Sequence, residues 1–354
     1  MTAPEHPWSL GYGYREDPRF TGATPEFRAA VEQFHDEGVA VFRALVPPPV
    51  IAAARAAAAG EFERSGPGVP DGKLADGWRT SPAIRQLAIC PEVVDVVERL
   101  HGRRAIPFQT LTFRCGSGQA GHADSVHFDS VPSGWMCGAW VALEDVGPTQ
   151  GPLEYDVGSH RDLDARAADA LLAARVPYAD YERALAESSP GERTTFRASA
   201  GDVLVWAAHL VHGGSPVTDP DSTRWSQVTH YFFDGCAYVT PMAGDPDRGL
   251  VALRDELTDL RTGRRVRHVV DGQPARVVRV GHRMARLLDD DEPRPGVATS
   301  IASGVRGAIA GARWRARRWQ GATRRRGRSS TQSTMSLRRR PARHRQKRLG
   351  CRRR

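Results

Sequence analysis

Cysteine is scarce in this chain and never paired. The five cysteines, Cys90, Cys115, Cys137, Cys236 and Cys351, lie far apart and include no Cys-x-x-Cys. That spacing excludes a zinc ribbon and a disulfide framework, and it suits reduced thiols in a cytoplasmic protein. Long apolar runs are missing too. No stretch reaches about 18 apolar residues, so no membrane-spanning helix is expected. The opening residues, "MTAPEHPWSLGYGYRED", lack a basic segment followed by an apolar one, which argues against a secretion signal. No repeat of about 20–50 residues recurs, which excludes a solenoid or propeller. Acidic residues vanish at the C-terminal end. Residues 311–354 hold 18 Arg and Lys and no Asp or Glu, leaving 32 basic against 41 acidic residues in 1–310. The overall charge of +9 thus joins an acidic body of net −9 to a basic tail.

What is present reads as a globular body over 1–290 and an Arg-rich tail over 291–354. Near the start, "TPEFRAAVEQFHDE" (24–37) has Thr24 placed to cap a helix, Pro25 at its first position and Gly38 to stop it. "VAVFRAL" follows as a strand, and "PPPVIAAARAAAAGEFER" as a second helix. Helix is expected again over 80–101, with a break near Pro91. From about residue 103 to 240 the pattern changes to short strands between Gly and Pro: "FQTLTFR", "SVHFDS", "MCGAWVALEDV", "GPLEYDV", "GDVLVWAA" and "RWSQVTHYFF". Such a series predicts an antiparallel barrel or jelly roll. A helical insertion, "DLDARAADALLAARV" and onward to about Glu187, interrupts it. "GLVALRDELTDL" is read as a helix, and "RHVVDGQPARVVRV" as a hairpin about Asp271-Gly272. The tail is expected to be disordered apart from an amphipathic helix over 299–319.

The chemistry begins in "GHADSVHFDS" (121–130), which holds His-x-Asp twice: His122 with Asp124, and His127 with Asp129. Residues two apart on a strand point the same way, so either pair can ligate one metal, and a continuous strand would put the two pairs on opposite faces. A third ligand is available in "GDVLVWAAHLVHGGSP", from His209 or His212. Further on, Arg224 and Ser226 share a strand face and can grip one carboxylate. Two imidazoles and one carboxylate leave three positions open on a metal, an arrangement suited to non-haem Fe(II) with a chelating 2-oxo acid and O2.

The segments "FHDEGVAVFRALV", "FQTLTFRCGSGQAGHADSVHF", "MCGAWVALEDVGPTQGPLEYDVGSHR" and "GDVLVWAAHLVHGGSP…STRWSQVTHYF" together resemble the phytanoyl-CoA dioxygenase family of Fe(II)/2-oxoglutarate oxygenases, over roughly residues 25–235. The resemblance chooses between the two His-x-Asp copies. The family's metal-binding copy stands about 18 residues before a Trp-bearing strand, and His122, not His127, lies at that distance from Trp140. It implies His122, Asp124 and His212 as metal ligands, with His212 preceding Gly213-Gly214. It implies Arg224 with Ser226 as the anchor of 2-oxoglutarate, Trp140 beside it, Lys73 reaching toward it and Leu111 on its floor. Lys73 is one of only two lysines against 48 arginines, which independently suggests a role that an arginine fork cannot fill. One departure is "VGSH" (157–160), where the family often has "PGSH".

The resemblance implies a double-stranded β-helix, a cupin-like jelly roll that is mainly β with flanking helices. It implies oxidative decarboxylation of 2-oxoglutarate to succinate and CO2, coupled to hydroxylation of an unidentified small organic molecule. Two other readings stand beside it: a metal-dependent hydrolase on the same triad, and a non-catalytic jelly roll whose tail binds nucleic acid. No obligate protein partner is evident, and the 291–354 tail suits weak binding to a polyanion or membrane surface. The roles of His127, Asp129 and His209 stay open, while Glu144 and Asp145 are read as structural. The acidic body disfavours a strongly anionic substrate unless arginines line its entry.

Overall fold

Thr24 does cap a helix: its Oγ accepts the amide of Phe27 at 3.3 Å, and Gly38 ends that helix with φ +85°. A side chain at Gly38 would meet His160 and Leu210, since a Cβ there would sit 2.4 Å from the His160 Nδ1. The structure, a computed structural model, describes residues 6–65, 72–161, 169–170, 172–188 and 192–288. The expected tail 291–354 and its helix 299–319 lie outside the described residues, as does part of the helical insertion.

Six helices and twelve strands position the site. The helices are α1 (Pro18–Thr21), α2 (Pro25–Glu37), α3 (Pro48–Ser65), α4 (Pro82–Ala88), α5 (Pro91–His101) and α6 (Tyr178–Ser188). The strands are β1 (Val39–Phe42), β2 (Lys73–Ala75), β3 (Ala105–Phe113), β4 (His122–Ala123), β5 (Asp129–Val131), β6 (Met136–Ala142), β7 (Leu153–Asp156), β8 (Arg193–Phe196), β9 (Val203–Ala207), β10 (Val211–Gly214), β11 (Ser226–Phe233) and β12 (Ala237–Val239). Ten of them form a six-stranded sheet in the order β1-β9-β6-β11-β3-β2 and a four-stranded sheet in the order β4-β10-β7-β8, and β5 pairs separately with β12, every pairing being antiparallel. This is the jelly roll that the strand series predicted. The larger sheet also recruits β1 and β2, upstream of the expected 103–240 core.

The central strands β6 and β11 are buried on both faces, which explains why β6 reads as an unbroken apolar run rather than an alternating one. On its inner face Trp140, Leu204, Trp206 and Val228 pack with Leu153 and Tyr155 of the smaller sheet. On its outer face Ala139, Val141, Val205 and Tyr231 pack with Phe27, Val31 and Phe34 of α2 and Val93, Val97 and Leu100 of α5. α5 ends at Gly102 (φ +75°), and Pro91 opens it, as the break near Pro91 predicted.

Two expectations fail. "SVHFDS" is not one strand, because Asp124–Val126 form a 3-10 turn and only Asp129–Val131 are extended. "GLVALRDELTDL" is not a helix. Its Leu250, Leu253, Leu257 and Leu260 have helical spacing and are all buried. However, the Leu253 amide bonds to the Arg283 carbonyl and the Arg254 amide to the Tyr238 carbonyl. Non-local pairing thus takes the backbone groups a helix would need. The hairpin about Asp271-Gly272 forms, pairing Val269–Val270 with Gln273–Pro274. Cys90, Cys137 and Cys236 are free and buried. Among the described residues no helix is long and apolar enough to cross a membrane.

Two buried histidines outside the expected metal-ligand set tie stability to pH. His101 stacks on Phe233 at 3.9 Å between centroids, and burial pushes its pKa from 6.5 down to about 3. Burial, with Arg161 next, does the same to His160. Both fold as neutral rings, so their contribution is complete above about pH 6.5 and is lost as pH falls toward 3. Each such histidine costs up to ~1.4 kcal/mol per pH unit in that window. Unfolding free energies of wild type and His101→Gln, measured from pH 7 to 4, should converge as pH falls. Parallel slopes would contradict the assignment.

Candidate active site

The site starts from a two-residue strand. β4 pairs with β10 so that His122 lies directly opposite His212, and their ring centroids are 4.6 Å apart. The chain then leaves the strand in the 3-10 turn that begins at Asp124. This turn brings the carboxylate back between the rings: Asp124 Oδ1 is 3.7 Å from His122 Nε2, and Oδ2 is 3.7 Å from His212 Nε2. One ligand atom from each of the three residues lies within 4.8 Å of the others. All three are buried.

The imidazoles are set in the form a metal requires. His122 Nδ1 is 3.0 Å from the Ala120 carbonyl, and His212 Nδ1 is 3.0 Å from the Leu210 carbonyl. A carbonyl can only accept, so each Nδ1 carries the proton and each Nε2 presents a lone pair. Burial, with His212 next to it, holds His122 down at about 3, so it stays neutral. Burial alone would raise the Asp124 pKa, but the facing imidazoles of His212, His230 and His122 hold it well below the ordinary carboxylate value.

Two residues that the motif spacing did not single out complete this cage. The Trp206 indole N–H donates to Asp124 Oδ2 at 2.8 Å, and His230 Nε2 lies 3.2 Å from the same oxygen. Trp206 reaches it across β6 because its register partner is Gly138. A Cβ at 138 would lie 2.3 Å from the indole carbons. A glycine within the apolar run "MCGAWVA" was the available signal, since glycine in a strand often marks a close approach.

The second His-x-Asp copy does not join. His127 caps the turn and sits 4.9 Å from the Tyr178 ring of α6, centroid to centroid. Asp129 accepts the amides of Ser130 and Gly134 and the Ser133 hydroxyl, bracing a turn. His209 lies against that same hydroxyl at 3.1 Å. Glu144 accepts the Trp225 amide and pairs with Arg55, and Asp145 accepts the Ala200 amide, so both are structural.

Arg224 lies just before β11 and is 2 % exposed. Its Nη1 donates to the Gly151 carbonyl at 3.0 Å, and its guanidinium flanks the rings of Phe113 and Trp140 at 5.6 and 5.8 Å. Among the described residues no carboxylate pairs with it. Burial lowers its pKa to about 10, which leaves it charged at neutral pH. Arg224 Nε, Ser226 Oγ and Trp140 Nε1 are all buried without a hydrogen-bond partner. A buried cation with an unanswered N–H of its own, beside two further unanswered donors, is costly unless an anion completes it. The sheet register aligns the other expected residues on this inner face. Ser226 and Lys73 both pair with Phe113, and Val228 pairs with both Leu111 and Trp140. Lys73 and Leu111 are half-buried.

Removing the indole donor should loosen the ion. Trp206→Phe should weaken Fe(II) or Mn(II) binding by ~10–100-fold, read by competition with a chromogenic chelator, while His127→Ala leaves it unchanged. Equal affinities for Trp206→Phe and wild type would contradict the role given to that N–H.

The profile of the family described as Phytanoyl-CoA dioxygenase (PhyH) matches residues 34–224. No curated protein matches by sequence. Among solved structures, the non-heme alpha ketoglutarate dependent carbocyclase SnoK from nogalamycin biosynthesis is similar, with TM-score 0.50 and 20% identity, over 62% of this chain and 88% of SnoK. The epimerase SnoN from the same biosynthesis gives 0.48 and 22%, over 74% and 98%. HygX from Streptomyces hygroscopicus, solved with nickel and 2-oxoglutarate, gives 0.44 and 18%, over 58% and 87%. The likeness to SnoK shows a shared fold.

Proposed function

The chain belongs to the phytanoyl-CoA dioxygenase family, and on that premise we propose that it is an Fe(II)- and 2-oxoglutarate-dependent dioxygenase hydroxylating a small organic molecule. The observation that carries the reading is the closure of His122, Asp124 and His212 into one buried set of ligand atoms within 4.8 Å of one another. Nε2 of each histidine and the Asp124 carboxylate would hold Fe(II), leaving positions for 2-oxoglutarate and O2. Bound iron, 2-oxoglutarate and O2 together supply an oxidant able to attack an unactivated C–H bond, with release of succinate and CO2.

The chain's own residues do the positioning. Arg224 would meet the far carboxylate of 2-oxoglutarate, with Ser226 Oγ and Trp140 Nε1 as further donors. Each of these groups has an unanswered buried hydrogen-bonding atom, which is the fit such a dicarboxylate needs. Lys73 and Leu111 share that sheet face and would border the same cosubstrate. The Trp206 N–H fixes the orientation of Asp124. Because Asp124 fills a ligand position, no place is left for a halide, which favours hydroxylation over halogenation. A hydrolase on the same triad would leave the buried Arg224 without a use.

Anaerobic titration of Fe(II) and then 2-oxoglutarate into the full chain should raise a weak visible charge-transfer band. Arg224→Ala should weaken 2-oxoglutarate by ~30-fold or more, as expected for a buried charge pair losing one partner. On admitting O2, wild type should release succinate. An unchanged 2-oxoglutarate affinity in Arg224→Ala would contradict the anchor.

A further inference from the structure

A second arginine, like Arg224, has no ion-pair partner among the described residues. The pairing of β11 with β3 shifts register at His230/Tyr231: His230 faces Gln109 and Tyr231 faces Pro107, leaving Phe108 as an extra residue. Bulges of this kind re-aim a side chain. Here Phe108 stacks on Phe232 at 4.3 Å and meets Phe128 edge-on at 5.4 Å. Phe128 in turn lies 5.1 Å from the His230 ring, whose Nε2 touches Asp124. An aromatic wall therefore runs from His230, beside Asp124, through Phe128 to Phe108.

Arg254 sits at the end of that wall. Its guanidinium carbon lies 4.8 Å from the Phe128 centroid and 5.4 Å from that of Phe108. One nitrogen donates to the Thr240 hydroxyl at 3.0 Å, while Nε is buried with no partner. Among the described residues no carboxylate pairs with Arg254. Three acids line the cavity beside it: Asp76 is held by Trp78 and Arg79, Asp255 is held by Arg279 and His268, and Glu256 is exposed. Burial lowers the Arg254 pKa to about 10, so it is charged at neutral pH. The group lines a cavity of about 610 Å³ that also includes Phe108, Gln109 and the exposed Arg283. That size suits an organic molecule of moderate size. The Gln109 side-chain oxygen is likewise buried and unanswered. Arg254 and Thr240 come from a segment beyond the family match at 34–224.

We propose that the organic substrate carries an oxyanion, a carboxylate or a phosphate, which docks on Arg254 while its apolar part lies along Phe108 and Phe128 toward the metal ligands. This rests on the oxygenase reading above and names the substrate class for it. A cation held against two aromatic faces with an unanswered N–H recruits an anion more strongly than any neutral polar group. Such placement also satisfies the condition raised by the acidic body, that an anionic substrate needs arginine at its entry.

The test is calorimetric titration of the full chain holding Fe(II) and saturating 2-oxoglutarate, without O2, with benzoate, phenyl phosphate and benzamide as probes. Saturating 2-oxoglutarate keeps Arg224 occupied. At least one anion should bind ~tenfold or more tightly than benzamide, the scale of one charge-assisted hydrogen bond. The preferred anion separates a carboxylate substrate from a phosphate one. Arg254→Met should abolish the preference, and Arg254→Lys should restore part of it. Equal affinities for all three probes, no binding of any, or a preference that survives in Arg254→Met would overturn the proposal. If Arg254→Met does not fold, the Lys variant and the wild-type comparison of anion with amide decide. The cosubstrate charge-transfer band in the same samples keeps the two readings apart. A band without anion preference sinks the subsite alone, whereas no band sinks the oxygenase reading.

Discussion

The short pairing of β4 with β10 is the constraint on which the rest of the site depends. Two residues of antiparallel ladder set His122 against His212, and the turn that follows returns Asp124 between them. Everything else around the triad serves to hold that pairing in register. Ser159 Oγ accepts the Val211 amide at 2.9 Å, bracing β10 one residue before its histidine. That serine lies in the "VGSH" turn, where Gly158 takes φ +73°, so the Val157 departure leaves the bracing intact. Gly138 lets Trp206 cross β6 and clamp the carboxylate. A one-residue slip of β4 would turn His122 away from His212 and break the set.

Around that centre the chain leaves two positive charges without an ion-pair partner among the described residues, Arg224 buried on the inner face of the larger sheet and Arg254 half-buried beside Phe108 and Phe128. A folded protein tolerates such groups when function requires them, because each lowers stability until an anion arrives. Their positions divide the work. Arg224 lies with Trp140 and Ser226 on the inner face of the larger sheet, and Arg254 lies beyond the aromatic wall formed by Phe108 and Phe128. The basic tail carries charge of the same sign but is a separate matter, since none of it lies among the described residues.

Much of the site was legible in the sequence because it is written in short-range spacing. His122 and Asp124 are two residues apart, and so are Arg224, just before β11, and Ser226, its first residue. Lys73 stood out by rarity alone. The jelly roll was legible as well, from many short strands separated by turn residues. Trp206 and His230 were not legible, because their contact with Asp124 depends on which strands neighbour each other and in what register. The continuous strand expected over "SVHFDS" failed for a local reason: Asp124 opens a 3-10 turn, so the carboxylate reaches the metal set from a turn. The helix expected over "GLVALRDELTDL" failed for a distant one. Leucines at helical spacing can equally be buried one by one by an irregular segment whose amides bond to remote carbonyls. That same irregular segment delivers Arg254, which no motif marked.

The most direct test of the account is anomalous X-ray diffraction from crystals grown without O2 in the presence of Fe(II) and 2-oxoglutarate, measured at the iron absorption edge. The account predicts a single strong peak enclosed by Nε2 of His122, Nε2 of His212 and the Asp124 carboxylate, with the far carboxylate of 2-oxoglutarate against Arg224. Iron found instead between His127 and Asp129, or an Arg224 guanidinium that bound 2-oxoglutarate does not touch, would contradict it.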